Sequence, residues 1–214
     1  MAVLTIRQQL YRTLKQRILD GVYPPGAHLN IDIIAKEQGV SNSPLREAMT
    51  LLVKDRLVEN RPNAGMYVIE ITPQLYRELV DTINIWIEGA YRLCLKYGKT
   101  ECLLALMEER LRALKKVIRR GTDRERIFAI LDFQRCFVTA TENTVFISSF
   151  SSEFDRLCLA YYYNHLGREI DWDINVQRAA TIIDAVRSSL VDTVSDMIWT
   201  WSVPHFEANQ IPEE

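Results

Sequence analysis

Asn42, Arg46 and Thr50 recur at every fourth position, directly after the small polar residue Ser41 and around Ser43. On a helix that spacing gathers all three on one face. An amide, a guanidinium and a hydroxyl side by side can exchange hydrogen bonds with flat polar edges such as those of base pairs. Nothing comparable points to catalysis. The three histidines, His28, His165 and His205, are scattered, and no two are spaced as metal ligands. The four cysteines, Cys94, Cys102, Cys136 and Cys158, form no C-x-x-C pair. They read as buried, reduced thiols. Phosphate-cradling glycine loops and the nucleophile elbow G-x-S-x-G are absent. Glu153, Asp132 and Asp155 have no histidine or cysteine placed beside them by sequence. The chain is therefore read as a non-enzyme without a metal or cofactor.

The elements that must hold the polar face can be read in order. Ile6, Leu10, Leu14 and Ile18 recur every four residues, which predicts an amphipathic helix over about 5–20. Gly21 ends it. Tyr23-Pro24-Pro25-Gly26 reads as an extended segment and turn. Asn30 caps a short second helix with Ile31, Ile34 and Ala35 inward, and Gly39 stops it. After a turn at Val40-Ser41-Asn42, Ser43 is the expected cap and Pro44 the first residue of a third helix reaching Lys54. Leu45, Ala48, Met49 and Leu52 form its apolar face. Leu57–Arg61 and Met66–Ile71 alternate as strands. Pro62-Asn63-Ala64-Gly65 joins them, with Gly65 at a positive φ.

Two helices, a turn, a third helix and a hairpin make a winged helix-turn-helix. A helix start rich in small polar residues approaches base edges in the major groove, and its N–H groups face phosphates. The hairpin tip is slim enough for the minor groove.

The character of the chain changes near Ile71-Thr72-Pro73. We divide it into a winged helix-turn-helix domain, 1–71, and an all-helical domain, 72–214, giving a mainly α fold. Thr72-Pro73 opens a helix of about 25 residues. Further helices open at Thr100-Glu101, Thr122-Asp123, Asn143, and Asp171 or Asp173, and a sixth runs to about Val203. The tail from Pro204 to Glu214 reads as frayed.

The 214 residues are 48% hydrophobic and 25% charged, a globular composition. No apolar run approaches the roughly 18 residues of a membrane span. The N-terminus lacks a secretion signal, so a cytoplasmic location is expected. The net charge of −2 excludes a general polycation, so nucleic-acid binding needs a local patch. Residues 1–70 carry nine Lys/Arg and seven Asp/Glu, the remainder seventeen and twenty-one. Lys115-Lys116 and Arg119-Arg120 read as a solvated helix face. Tyr161-Tyr162-Tyr163 straddles core and surface, and His165 is a polar helix-end residue.

Ile18-Leu19-Asp20-Gly21-Val22-Tyr23-Pro24-Pro25-Gly26, Ile34-Ala35, Gly39-Val40-Ser41, Pro44-Leu45-Arg46-Glu47-Ala48 and Pro62-Asn63-Ala64-Gly65 together resemble the GntR family of bacterial transcription regulators. The resemblance covers about residues 5–70. The helical remainder resembles the ligand-sensing, FCD-type domain of the fatty-acid-regulator-like branch, through Phe133-Gln134, Ala140, Asn143 and Ile182-Ile183-Asp184-Ala185-Val186. It implies DNA-facing roles for Lys36, Ser41, Asn42, Ser43, Pro44 and Arg46, and for the wing residues Asn63 and Gly65. The family usually has Arg where Asn42 stands. Arg pairs with guanine, whereas Asn suits adenine.

Many relatives hold a divalent metal with one Asp and three His. The resemblance places those positions at Ile130, Gln134, Ala179 and Trp201, and a pocket Arg at Asn84. That set predicts a metal-free sensor for a neutral or amphipathic effector, with Trp199, Trp201 and Tyr161 as candidate aromatic walls. The alternative is that Trp201 and Ile130 fill the cavity and no effector is kept. The expected protein is a ligand-responsive regulator that binds a palindromic double-stranded operator as a homodimer. The alternative is a winged-helix interaction module.

Overall fold

The computed structural model describes residues 4–201. Val203 and the tail from Pro204, with His205, lie outside the described residues. The described chain divides into two compact units. One comprises the chain to Tyr76 with Ser152–Asn164; the other comprises Arg77–Ser151 and the chain from His165.

In the first unit, helix α1 spans Ile6–Leu19 and opens on a capping box, the Thr5 hydroxyl accepting from Gln8 N–H while Gln8 returns a bond to Thr5. Helix α2 spans Ile31–Gln38, capped by Asn30 and ended by Gly39 in the left-handed conformation. Helix α3 spans Asn42–Lys54. It starts earlier than the proline suggested. Ser41, not Ser43, holds the cap position, and Pro44 lies within the first turn. Proline is tolerated there because the first-turn N–H groups have no intrahelical partner.

Strands β1, Val58–Arg61, and β2, Gly65–Val68, pair antiparallel with Arg61 opposite Gly65. The second strand is shorter than its alternation implied, ending at Val68. The segment Gly26–Leu29 lies along its free side: Leu29 N–H donates to Met66 O, and Val68 N–H to Ala27 O. The residues after the Tyr23–Gly26 segment, which sequence reading left unassigned, thus back the hairpin.

Leu10, Leu14 and Ile18 of α1 pack with Ile34, Leu45, Met49, Leu52 and Val68 in one core. Leu159 joins it from helix α7, Thr144–His165, whose second half belongs to this unit. Polar bonds fasten the same seat. Lys15 pairs with Asp155 and with Asp55, the latter at 3.5 Å, and Arg56 pairs with Glu153 at 3.1 Å. Burial pulls the Lys15 pKa down, but its bonds to Asp155 and Tyr11 outweigh that and hold it above the ordinary lysine value. The sequence did not reveal this placement of 152–164, because a distant helix face carries no local signal of its partner.

The second unit takes most of α4, Pro73–Lys96, and the first half of α7, with α5, Thr100–Arg120, α6, Asp123–Ala140, α8, Trp172–Arg187, and α9, Val191–Thr200. The expected caps hold: Thr122 forms a capping box with Glu125, Asn143 accepts from Phe146 N–H, and Asp171 accepts from Asp173 and Ile174. Helix α5 packs along α6 and α8. Helix α9 is tied to α4 through Glu88, which accepts from Ser195 at 3.0 Å and from the Trp199 indole at 2.9 Å.

Candidate nucleic-acid interface

The turn from α2 to α3 is compact because Gly39 takes φ 64°, which lets Val40 N–H reach back to Ala35 O. Ser41 and Ser43 are exposed at the start of α3, with Asn42 and Pro44 half-exposed. Asn42 Nδ2 donates to Asp32 Oδ1 at 2.7 Å, joining the first residue of α3 to the first turn of α2. That bond uses one amide hydrogen and leaves the second, with the carbonyl oxygen, available outward.

Arg46 is exposed and forms no ion pair or side-chain hydrogen bond with any described residue. A surface ion pair for Arg46 is therefore not what the structure shows. Its carboxylate neighbour Glu47 pairs instead with Arg7 at 3.6 Å. Lys36 is likewise exposed without an ionic partner among the described residues. Thr50 turns its hydroxyl to Arg46 O at 2.9 Å, so it is engaged with the helix backbone.

The hairpin tip exposes Asn63 and Gly65. Asn63 takes φ 58° and Gly65 φ 100°. Gly65 is also crowded: a Cβ there would stand 2.9 Å from His28 Nε2. His28 in turn lies against Tyr67 at 4.8 Å between ring centroids, and the Arg61 guanidinium covers the Tyr67 ring at 4.4 Å. His28, on the segment behind the wing, is a neighbour that sequence reading missed. Its signal, a polar aromatic after Pro-Pro-Gly, has no periodicity.

The expected effector residues lie in the second unit. Asn84, Ile130, Gln134, Ala179 and Trp201 are all buried. Gln134 and Trp201 line one small cavity of about 10 Å³, closed by Ile87, Phe133, Phe137, Ile182 and Ile198. That is room for about one water molecule. The Trp201 and Phe133 rings stack at 5.7 Å. Asn84 and Gln134 are the buried polar residues of this set, and the Trp201 indole N–H is buried without a hydrogen-bond partner among the described residues. Trp199 is exposed, and its indole donates to Glu88. Tyr161 belongs to the first unit, where it meets Tyr76 edge-on.

The four positions that the resemblance assigns to a metal do not fit one. Ile130 and Ala179 offer no donor, Gln134 offers a neutral amide, and Trp201 offers an indole that is a donor only. No group of three His, Cys, Asp or Glu side chains among the described residues is placed for a metal.

The thiols are all free. Burial pushes Cys94 to about 11 and Cys136 to about 12, so neither is a thiolate near neutrality. Cys102 and Cys158 are half-exposed rather than buried. His165 ends α7, as expected of a helix-end residue, and is buried there. No helix of the described residues is long and apolar enough to cross a membrane.

Residues 6–68 match the model of the bacterial regulatory proteins of the gntR family. The chain is 35% identical over 116 residues to the uncharacterized HTH-type transcriptional regulator YdhC of Bacillus subtilis (strain 168), covering 54% of this chain and 51% of that one. It is 34% identical over 67 residues to the HTH-type transcriptional repressor RspR of Escherichia coli (strain K12), covering 31% and 29%. The chain spans about half the length, or less, of the curated relatives it matches. Among solved structures, E. coli McbR/YncC superposes with a TM-score of 0.73 at 20% identity, covering 93% of this chain and 95% of that one. A GntR regulator from Rhodococcus sp. RHA1 gives 0.69 at 20% identity, covering 91% and 92%. These likenesses establish the fold: a winged helix-turn-helix with an all-α remainder. The relatives are transcription regulators and not enzymes.

Proposed function

We propose that this chain, a GntR-family transcription regulator by its residues 6–68, reads a palindromic operator as a cytoplasmic homodimer. The observation that carries the reading is the state of the polar side chains on α2 and α3. Arg46 and Lys36 stand exposed without ionic partners, and Asn42 is braced by Asp32 beside them. Cations held without counter-charges on a protein of net charge −2 are placed for phosphates and base edges. Arg46 pairs with guanine, Asn42 reads adenine, Lys36 and the α3 start hold phosphate, and Asn63 and Gly65 enter the minor groove. One eleven-to-thirteen-residue helix touches few bases, so two copies on half-sites about one turn apart supply the affinity.

Selection from random duplexes at two salt concentrations tests this. A recovered palindrome with an A·T pair at the Asn42 position supports it. Binding without a motif that vanishes at moderate salt overturns it in favour of an interaction module.

Control by a small neutral or amphipathic effector within 72–214, the FCD-type region, is supported by the polar side chains of Asn84 and Gln134 buried in the helical unit. A second reading, an effector-free regulator, is favoured by the 10 Å³ cavity and the Phe133–Trp201 stack that closes it. An effector larger than a water molecule would have to displace part of that lining. Intrinsic fluorescence separates the two: quenching of the buried tryptophan by a compound that also alters operator affinity supports control.

A further inference from the structure

The C-terminal half of α5 carries Arg112, Lys115, Lys116, Arg119 and Arg120 within nine residues, with no acidic residue between Arg110 and Asp123. At 100° per residue the five fall within one stripe of about 140°. The opposite side holds Leu114 and Ile118, which are buried. All five cations are exposed, and none has an ionic partner among the described residues. The nearest carboxylates are engaged elsewhere. Glu108 pairs with Arg187 at 2.8 Å, Glu109 with Arg110 at 3.6 Å, and Asp123 with Arg126 at 3.1 Å. Glu125 is occupied in capping α6.

A helix dipole accounts for cations in the last turn, hence for Arg119 and Arg120. It does not account for Arg112, Lys115 and Lys116, which lie one and two turns earlier. Five like charges on adjacent turns repel one another. They sit in a half of the chain that is otherwise acidic, with twenty-one Asp/Glu against seventeen Lys/Arg after residue 70.

We infer that the Arg112–Arg120 face of α5 is a second, sequence-independent contact for duplex DNA, engaging backbone phosphates outside the operator core. The inference rests on the operator-binding reading above. The stripe runs about 12 Å along the helix axis, a length over which duplex DNA presents about seven phosphate charges. Its exposed residues other than the cations reduce to Ala113. A protein partner would call for an aromatic or aliphatic anchor, and single-stranded nucleic acid for stacking aromatics. Neither stands on this face, and phosphate asks for neither. Tethering to a winged helix already on DNA supplies the high local concentration that weak ionic contacts need.

The test uses the full chain and the selected operator as two duplexes, one trimmed to the palindrome and one with about 20 base pairs of random flank on each side. Two variants are compared with the wild type: Arg112→Gln with Lys116→Gln, and all five cations changed to Gln. Glutamine is a good helix former, and circular dichroism checks the fold. The flanked duplex is expected to bind the wild type more tightly than the trimmed one at low salt. Both variants should lose that gain while binding the trimmed duplex as before. The salt slope on the flanked duplex should fall by about 0.9 for each phosphate that is no longer neutralised. Equal binding of both duplexes by the wild type overturns the inference alone. So does a flank gain that survives in the five-fold variant, which would leave the stripe to an acidic protein or to solvent. Failure of every protein to bind either duplex instead overturns the operator-binding reading.

Discussion

Asn42 Nδ2 bonds to Asp32 Oδ1 at 2.7 Å, so an acidic side chain on α2 orients the first polar side chain of α3. Removing Asp32 should loosen Asn42 without touching the core, because both sit at the surface. We expect Asp32→Ala to weaken discrimination for A·T at the base pair that Asn42 reaches, by about 0.5–1.5 kcal/mol for the missing brace. It should also raise affinity for non-operator duplexes by removing a negative charge. Competition binding with operators substituted at that pair measures both effects. Undiminished discrimination would mean that Asn42 is positioned by its helix alone.

Arg46 and Lys36 are expected to separate by kind of contact. Arg46→Ala should cost about 1–3 kcal/mol on the selected operator and relax specificity at one base pair. Lys36→Ala should weaken all duplexes alike and lower the salt slope by about 1. Fluorescence anisotropy over a salt series distinguishes the two. Unchanged operator binding by Arg46→Ala would remove α3 from the recognition role.

Gly65 is held by two constraints, a φ of 100° and the His28 imidazole 2.9 Å from where a Cβ would stand. Gly65→Ala therefore meets backbone strain of about 1–3 kcal/mol and a clash with the ring. The clash is separable. His28→Ala combined with Gly65→Ala should recover part of the loss, with the strain remaining, and a double-mutant cycle by denaturant titration gives the coupling. A cycle that closes at zero would show that the ring swings away at no cost.

How much of this was legible in the sequence depended on the range of the interaction. Asn30, Thr122, Asn143 and Asp171 cap the helices they announce, because a cap is read within three residues. Ser41 rather than Ser43 at the start of α3 was missed because Pro44 is compatible with any first-turn position. Long-range placements left no local mark. Leu159 and Asp155 sit with α1 although more than a hundred residues separate them, and nothing in Ser152–Asn164 distinguishes that seat from any other apolar helix face. The site residues on α3 were readable from type and spacing. The brace from Asp32 and the imidazole behind Gly65 were not, since both depend on folded neighbours.

Glu88 links α4 to α9, and hydrogen bonds from Trp199, Arg92 and Ser195 hold its pKa below the ordinary glutamate value. A carboxylate with a lowered folded pKa contributes stability that is present above its unfolded value and lost as pH falls through the folded one. Glu88→Gln should therefore lower Tm at pH 7, and the gap to the wild type should close on acidification below about pH 4.3, the ordinary glutamate pKa. Red-shifted intrinsic emission in the variant that is absent when Trp199 is changed to Phe reports loosening of α9. A Tm difference that persists at low pH would assign the effect to packing rather than to charge.

Gln134 and Trp201 line the same 10 Å³ cavity, yet their removal should act in opposite directions. Gln134 is a buried polar side chain, so Gln134→Leu keeps the volume and replaces a polar group in the bundle by an apolar one. We expect it to be neutral or stabilising by about 1–2 kcal/mol. Trp201→Ala deletes a ring stacked on Phe133 and should cost about 3–5 kcal/mol through the cavity it leaves. Denaturant midpoints measure both. Operator binding then decides what the cavity is for. If Gln134→Leu is stable and its operator affinity has lost all response to compounds that shift the wild type, the amide is an effector contact. If it is destabilised instead, the amide is a structural element of the bundle, held by a bound water that the leucine expels.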